Sequence, residues 1–303
     1  MRSQPYPKAG LAPALAVAAV AVAGVAGAIV LAGMGVTPAA AQSQKSAPPR
    51  AEDLVKLELI ADTTHVGAGK KLTLAARFDI APGWHIYWEN PGEAGLATEA
   101  AFTAPAGYEV GPLRFPGPER FQTPGEGAVS FGYEKTAVLS SIVAAPARLA
   151  GEPVRFSVKA SWLVCRDVCL RGKGQAALEL PPAGRGQDRA RPAHAELFDR
   201  HRAELPRAFA ELRAAHRWER DAREARLVIA GLRADRVEYF PPSGEDLQLT
   251  GQGAAAAPGG AKGTTELRLR YKPGTKPARA RGVLAVTRGA ETRYYALDLE
   301  EAP

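Results

Sequence analysis

Apolar and polar residues alternate along most of the chain between residues 54 and 180. Alternation with a period of two is typical of strands that bury one face, and Pro and Gly between the runs favour turns. Many short strands with frequent turn signals predict an antiparallel β-sandwich. The predicted strands are residues 55–61, 71–80, 84–88, 98–103, 108–115 and 129–143, followed by a hairpin with arms at 154–162 and 175–180.

A helical segment and a second group of strands follow. Pro181-Pro182-Ala183-Gly184 breaks the alternation, and residues 193–218 carry apolar side chains at helical spacing, with Pro206 expected to kink or split the helix. Alternation returns between residues 226 and 299, interrupted by an Ala- and Gly-rich loop at 251–263. The predicted fold class is mainly β, with two antiparallel β-sandwiches joined by a short helical segment.

The first 41 residues have the layout of a secretory signal. Arg2 and Lys8 precede an apolar stretch at residues 11–36, and Ala39-Ala40-Ala41 supplies a cleavage site. Because the stretch is rich in weakly apolar Ala and Gly, cleavage is favoured over retention as a membrane anchor. The predicted organisation is a signal at 1–41, a flexible linker at 42–53, a first sandwich at 54–182, a helical linker at 183–224 and a second, smaller sandwich at 225–303.

The charge balance does not favour nucleic acid as a partner. Without the predicted signal, which contains Arg2 and Lys8, Lys+Arg falls from 39 to 37 against 32 Asp+Glu, so the net charge is a mild +5. The Arg-rich stretch at residues 185–226 also contains many acidic residues, which is typical of a solvated helical face. Contact with a membrane is expected only if the apolar N-terminal stretch is not removed.

Cys165 and Cys169 are the only cysteines of the chain. In an oxidising compartment two thiols this close are expected to pair. A crosslink that closes about five residues removes only about 2 kcal/mol of unfolded-state entropy, against about 4.7 kcal/mol for about 100 residues. The pair is therefore a poor staple, and a redox centre is the favoured interpretation. Since residues i and i+4 of a helix hold their Cβ atoms too far apart for a disulfide, we expect the pair at the exposed tip of a β-hairpin.

Two further stretches contain candidate supporting residues. In the predicted strand at 84–88, alternation sends Trp84, Ile86 and Trp88 one way and His85 and Tyr87 the other. The tryptophans then fill the core, and His85 or Tyr87 either faces the cysteines or is an ordinary surface residue. Residues 116–127 are rich in Pro and Gly and are predicted to be a loop. Its Phe121 either covers the disulfide or packs into the nearest groove.

The sequence offers few residues that could join the two cysteines as metal ligands. Both methionines lie in the predicted signal, and the five histidines show no tight spacing with the cysteines. Two thiolates alone suit Cu(I), so a copper-binding or copper-stress protein remains an alternative to redox exchange. A third hypothesis is a non-enzymatic interaction module with a structural disulfide. We expect no metal and no cofactor in the redox protein.

The chain resembles the periplasmic N-terminal region of the DsbD and ScsB type thiol:disulfide interchange proteins. The matching blocks are GWHIYWENPG at residues 83–92, FPGPERF at 115–121 with FGYE at 131–134, and SWLVCRDVC at 161–169. The resemblance implies immunoglobulin-like sandwiches, a redox pair at Cys165 and Cys169, and a cap around Phe121. Expected supporting residues beside the cap are His85, Tyr87 and Tyr133.

The resemblance also implies the partners of the pair. Periplasmic thiol-disulfide oxidoreductases are expected to exchange with Cys165 and Cys169. The transmembrane electron-carrying domain and the thioredoxin-like domain of the full-length proteins are missing here, so a membrane electron donor is expected to be a separate protein. The predicted role is a periplasmic relay of electrons between thiol-disulfide partners.

Overall fold

The computed structural model describes residues 49–122, 128–184, 186, 189–220, 224–232, 234–243, 247–249, 255–256, 265–271 and 279–300. The predicted signal at 1–41 and most of the predicted loop at 251–263 lie outside these residues. No helix in the described ranges is both long and apolar enough to cross a bilayer.

Two antiparallel sheets form the first sandwich, as the alternation predicts. The strands are β1 Val55–Ala61, β2 Lys71–Ile80, β3 His85–Gly92, β4 Glu99–Thr103, β5 Glu109–Val110, β6 Glu119–Gln122, β7 Val129–Glu134, β8 Thr136–Ala144, β9 Val154–Cys165 and β10 Cys169–Leu180. One sheet has the order β1-β2-β8-β5, and the other has the order β10-β9-β3-β7-β6, with β4 paired to β9.

The inner faces of these sheets form one apolar core. Trp84, Ile86 and Trp88 all belong to it, as their spacing predicts. Phe78 and Phe156 are fully buried in the same cluster. Each such side chain contributes about 1.5–3 kcal/mol on leaving water, so this layer is the main source of stability for the first sandwich.

A short helix, α1 Ala51–Leu54, precedes β1. Ala51 is buried, and a Cβ added at Gly172 of β10 would lie 2.9 Å from the Ala51 Cβ. The prediction of a flexible linker over 42–53 is therefore wrong for residues 51–53, because a buried alanine fixes this turn against the sheet.

The predicted helix at 193–218 is much shorter in the structure. It is α2 Ala195–Glu204, and it ends just before Leu205 and Pro206. Proline has no N–H to donate and its ring clashes with the carbonyl one turn back, so the helix stops there. The chain continues as β11 Arg207–Ala208, a 3-10 turn at Phe209–Leu212 and β12 Ala215–Arg220.

The second sandwich accordingly begins near residue 207 rather than at 225. The remaining strands are β13 Glu224–Ala230, β14 Arg236–Phe240, β15 Leu247–Leu249, β16 Ala255–Ala256, β17 Thr265–Tyr271, β18 Arg279–Arg288 and β19 Glu291–Glu300. One sheet has the order β11-β19-β18-β14 and the other β12-β13-β17-β15, with β16 paired to β17. Among these described strands, the pairing of β11 with β19 is parallel and the others are antiparallel.

The two sandwiches share core packing. Phe240, at the end of β14, lies edge-to-face against Phe131 and Trp88, with ring centres 5.2 Å and 6.3 Å away. The Asn90 side-chain amide donates to the Pro241 carbonyl at 2.8 Å. The first core therefore extends into residues that belong to the second sandwich.

Helix α2 docks on the outer face of the first sheet. Phe198 packs there with Ile60, Ala75 and Val138. One turn later, His201 is buried, and its Nε2 lies 2.7 Å from the Ser140 hydroxyl. Burial and the nearby Arg114 and Arg202 lower the pKa of His201 to about 4, so the imidazole is neutral at pH 7.

This histidine predicts a loss of stability in mild acid. Its unfolded pKa of about 6.5 exceeds the folded value, so the unfolded state binds the proton first. The contribution of neutral His201 to the free energy of unfolding should be fully present above pH 6.5. It should fall by up to about 3 kcal/mol as the pH is lowered towards 4. Urea unfolding across this range should show a shallower pH dependence for His201→Gln, whereas His216→Gln, at an exposed histidine, should keep the original slope.

Candidate functional site

The two cysteines lie opposite each other at the end of the β9–β10 hairpin. Cys165 closes β9, Cys169 opens β10, and they are cross-strand partners. Arg166, Asp167 and Val168 form the turn between them, where the Arg166 N–H donates to the Val168 carbonyl at 3.1 Å. A disulfide joins the pair, with Cα atoms 4.2 Å apart. Register and a short turn are sufficient to bring the two sulfurs together.

The two halves of the disulfide differ in exposure. Cys165 is only 2% exposed, whereas Cys169 is an exposed residue. Val168, beside it in the turn, is 55% exposed. The expectation of an exposed tip is therefore right for Cys169 and wrong for Cys165, because β9 lies inside the sheet and β10 at its edge. An attacking group from outside has access at Cys169.

His85 lies in the same cross-strand row as the disulfide. It pairs with Cys165 on one side and with Glu134 of β7 on the other. Directly opposed residues of antiparallel strands place their side chains on the same face. His85 and Tyr87 therefore lie on the face that carries the disulfide, while Trp84, Ile86 and Trp88 lie in the core.

Tyr87, Leu163 and Cys165 form a small buried cluster on this face. The Tyr87 ring also meets the His85 ring edge-on, with centres 5.2 Å apart. Gly95 lies against the same tyrosine, and a Cβ added there would be 2.2 Å from a ring atom. Only a residue without a side chain fits this close approach. The buried cysteine thus has an apolar and aromatic surrounding.

Phe121 packs directly on His85. Its ring stacks on the imidazole, with centres 4.7 Å apart and an angle of 10° between planes. The prediction of a loop over 116–127 is wrong for residues 119–122, which form β6 and pair with β7. Backbone hydrogen bonds to β7 outweigh the local Pro and Gly signals here. Residues 123–127 of the predicted loop lie outside the described residues.

Tyr133 occupies a different place from the other proposed supporting residues. It is the cross-strand partner of Ile86 and belongs to the core. Its hydroxyl donates to the Pro116 carbonyl at 2.8 Å, and burial raises its pKa well above 10. Tyr133 therefore fixes the start of the segment that leads to Phe121.

Electrostatics keep the aromatic neighbours neutral. Burial lowers the pKa of His85, partly offset by Glu134, and burial raises the pKa of Tyr87. The Arg166 guanidinium pairs with Asp167 at 2.8 Å and lies 4.9 Å from the centre of the Trp84 ring. It is therefore committed to these contacts with Asp167 and Trp84.

Sequence reasoning missed two residues of this site. Leu163 precedes Cys165 by two positions, so strand alternation already places it on the same face. Gly95 gives no such signal, because its approach to Tyr87 depends on the path of the chain between β3 and β4. Within the described residues, no three His, Cys, Asp or Glu side chains are grouped as metal ligands, so a copper site here would rest on the two thiols.

Parts of the chain are similar to known proteins. Residues 51–181 match the family model described as Thiol:disulfide interchange protein DsbD, N-terminal. Among curated proteins none matches the chain. The N-terminal periplasmic domain of ScsB from Proteus mirabilis is similar in structure, with 17% identity, a TM-score of 0.55, and coverage of 80% of this chain and 92% of that one.

A second solved structure is the reduced DsbD N-terminal domain from Neisseria meningitidis. It has 18% identity and a TM-score of 0.27, and covers 49% of this chain and 96% of that chain. The ScsB match supports the fold of both sandwiches, and the family match covers the strands that hold the disulfide, His85 and Phe121. Residues 51–181, somewhat less than half of the chain, are therefore similar to the N-terminal region of the thiol:disulfide interchange protein DsbD.

Proposed function

We propose that this protein exchanges electrons with thiol-disulfide partners through Cys165 and Cys169. The observation that carries the proposal is the asymmetric disulfide: one cysteine is exposed at the edge of the sheet, and the other is buried behind it beside Tyr87 and Leu163. An exposed sulfur is suited to form an intermolecular bond, and a buried sulfur next to it is suited to resolve that bond.

The proposed reaction has two displacements. In the reduced protein, the Cys169 thiolate attacks one sulfur of a partner disulfide, and the other partner sulfur leaves as a thiolate. The Cys165 thiolate then attacks the Cys169 sulfur, re-forms the internal disulfide and releases the second partner thiolate. Two electrons and two protons pass to the partner. A dithiol outside this sequence resets the pair by the same steps in reverse.

His85 and Phe121 are proposed to assist Cys165. Because burial lowers the pKa of His85, its imidazole is mainly neutral near pH 7 and is able to accept the proton of the Cys165 thiol. Phe121 stacks on that imidazole, which limits the access of water and small thiols to this side of the bond. Tyr87 completes the apolar wall around the buried sulfur.

We place this exchange in the periplasm. The ScsB domain with the similar fold is periplasmic, and the N-terminal sequence has the features of an export signal. The proposed partners are other thiol-disulfide oxidoreductases of that compartment and a membrane electron donor. An oxidising compartment returns the pair to the disulfide unless such a donor acts.

The asymmetry predicts which cysteine forms mixed disulfides. With Cys165→Ala, the remaining Cys169 should be trapped by oxidised glutathione as a stable adduct, because it is exposed and has no resolving thiol. With Cys169→Ala, adduct formation should be at least about tenfold slower, since Cys165 is buried. Intact-mass spectrometry over time measures both rates. Equal rates, or a faster Cys165, would contradict the proposed roles.

The redox potential distinguishes a disulfide that takes part in exchange from a disulfide with only a structural role. A working pair should equilibrate in glutathione buffers and give a potential above about −300 mV, because structural disulfides lie below that value. Alkylation of the free thiols followed by mass analysis gives the reduced fraction at each buffer ratio. A pair that stays oxidised throughout these buffers would count in favour of the structural alternative.

A further inference from the structure

The strand that carries Phe121 is held from the second sandwich. β6 has only four residues and lies at the end of its sheet, where β7 is its neighbour. A four-residue edge strand is weak by itself, so further contacts are needed to keep its side chains in place. The described residues supply such contacts from α2, β14 and β19.

Arg120 provides the first contact. Its side chain is 12% exposed, and its Nε lies 3.6 Å from Oε1 of Glu238 in β14. The Glu238 side chain is 19% exposed. The guanidinium also lies 5.6 Å from the centre of the ring of Phe131, its cross-strand partner. Arg236 also pairs with Glu238, so this carboxylate is oriented by two guanidinium groups. Ion pairs removed from solvent are screened less than exposed ones.

Gly117 provides the second contact. Its N–H donates to the carbonyl of Glu204, the last residue of α2, at 2.8 Å. Its Cα faces Tyr294 of β19 so closely that an added Cβ would lie 1.9 Å from a ring atom. Tyr133 holds the neighbouring Pro116 carbonyl from the other side. The segment from Pro116 to Arg120 is therefore clamped between the two sandwiches.

Adjacent residues of a strand point to opposite faces, which links this clamp to the disulfide. Arg120 points towards Glu238, so Phe121 is turned towards His85. If Arg120 loses its partner, the short strand gains freedom to twist or separate from β7, and the Phe121 ring moves with it. The position of the aromatic cover thus depends on a carboxylate of the other sandwich.

We propose that the second sandwich positions the cover of the disulfide, with Glu238 and Tyr294 as positioning residues for Phe121. The inference rests on the proposed function only in treating Cys165–Cys169 as the reacting bond. It assigns the second sandwich a definite task, which is to keep Phe121 stacked on His85 and so slow the attack of small thiols on the disulfide.

The test is the rate at which dithiothreitol reduces the disulfide in the full chain. Phe121→Ala should raise this rate about fivefold or more, because the cover is removed. Glu238→Gln should raise it by a similar factor, and Tyr294→Leu provides a second route to the same loss. Glu291→Gln, which removes an exposed ion pair with Arg293 in the same sandwich, should leave the rate unchanged.

A combined variant distinguishes positioning from general loosening. If Glu238 acts through Phe121, Glu238→Gln should add nothing in the Phe121→Ala background. Additive acceleration there would overturn the proposal, as would a wild-type rate for Glu238→Gln and Tyr294→Leu. A wild-type rate for Phe121→Ala would also overturn it.

Two further measurements distinguish loss of the Phe121 cover from a general loss of stability and from a failure of the exchange chemistry. Urea unfolding of each variant identifies a general loss of stability, in which case the rate is compared under conditions where over 99% of the chain is folded. Glutathione trapping of Cys165→Ala tests the exchange chemistry separately, so the cover and the exchange fail independently of each other.

Discussion

The pairing of β9 with β10 on one side and with β3 on the other places Cys169, Cys165 and His85 in one row across the sheet. This row determines the rest of the site, because opposed residues share a face and a short distance. A shift of one residue in either pairing would move one member to the core face. The long β9–β10 ladder, twelve residues in each strand, and the buried Trp88 of β3, with Trp84 just before that strand, secure that register.

The position of each strand in the sheet then gives the two sulfurs different exposure to solvent. β10 is an edge strand, so Cys169 reaches solvent, while β9 is flanked on both sides and holds Cys165 under Tyr87 and Leu163. The same disulfide therefore has a reachable end and a protected end. The Phe121 ring stacks on His85 of the same row, and the strand that carries Phe121, β6, is the shortest of this sheet.

Much of this arrangement is predictable from sequence, and the failures have local causes. Period-two alternation places Trp84 and His85 on opposite faces, and the short spacing of the cysteines predicts the hairpin. The strand around Phe121 is hidden by Pro and Gly neighbours, since the local sequence gives no sign that residues 119–122 pair with β7. The prediction of a helix after residue 204 is wrong for a related reason, because apolar residues at helical spacing also suit the strands and turn in which they occur. Pro206 ends the helix, so these residues form the strands and the turn instead.

Phe240 shows that the boundary of a sequence family and the boundary of a core are different things. The family match ends at residue 181, but the aromatic packing of the first sandwich is completed by Phe240, together with Val283 and Ala285. A fragment cut at residue 182 would leave Trp88 and Phe131 facing an apolar hollow open to water. The first sandwich is therefore incomplete as an isolated fragment, since part of its hydrophobic interior is encoded some sixty residues beyond the end of the family match.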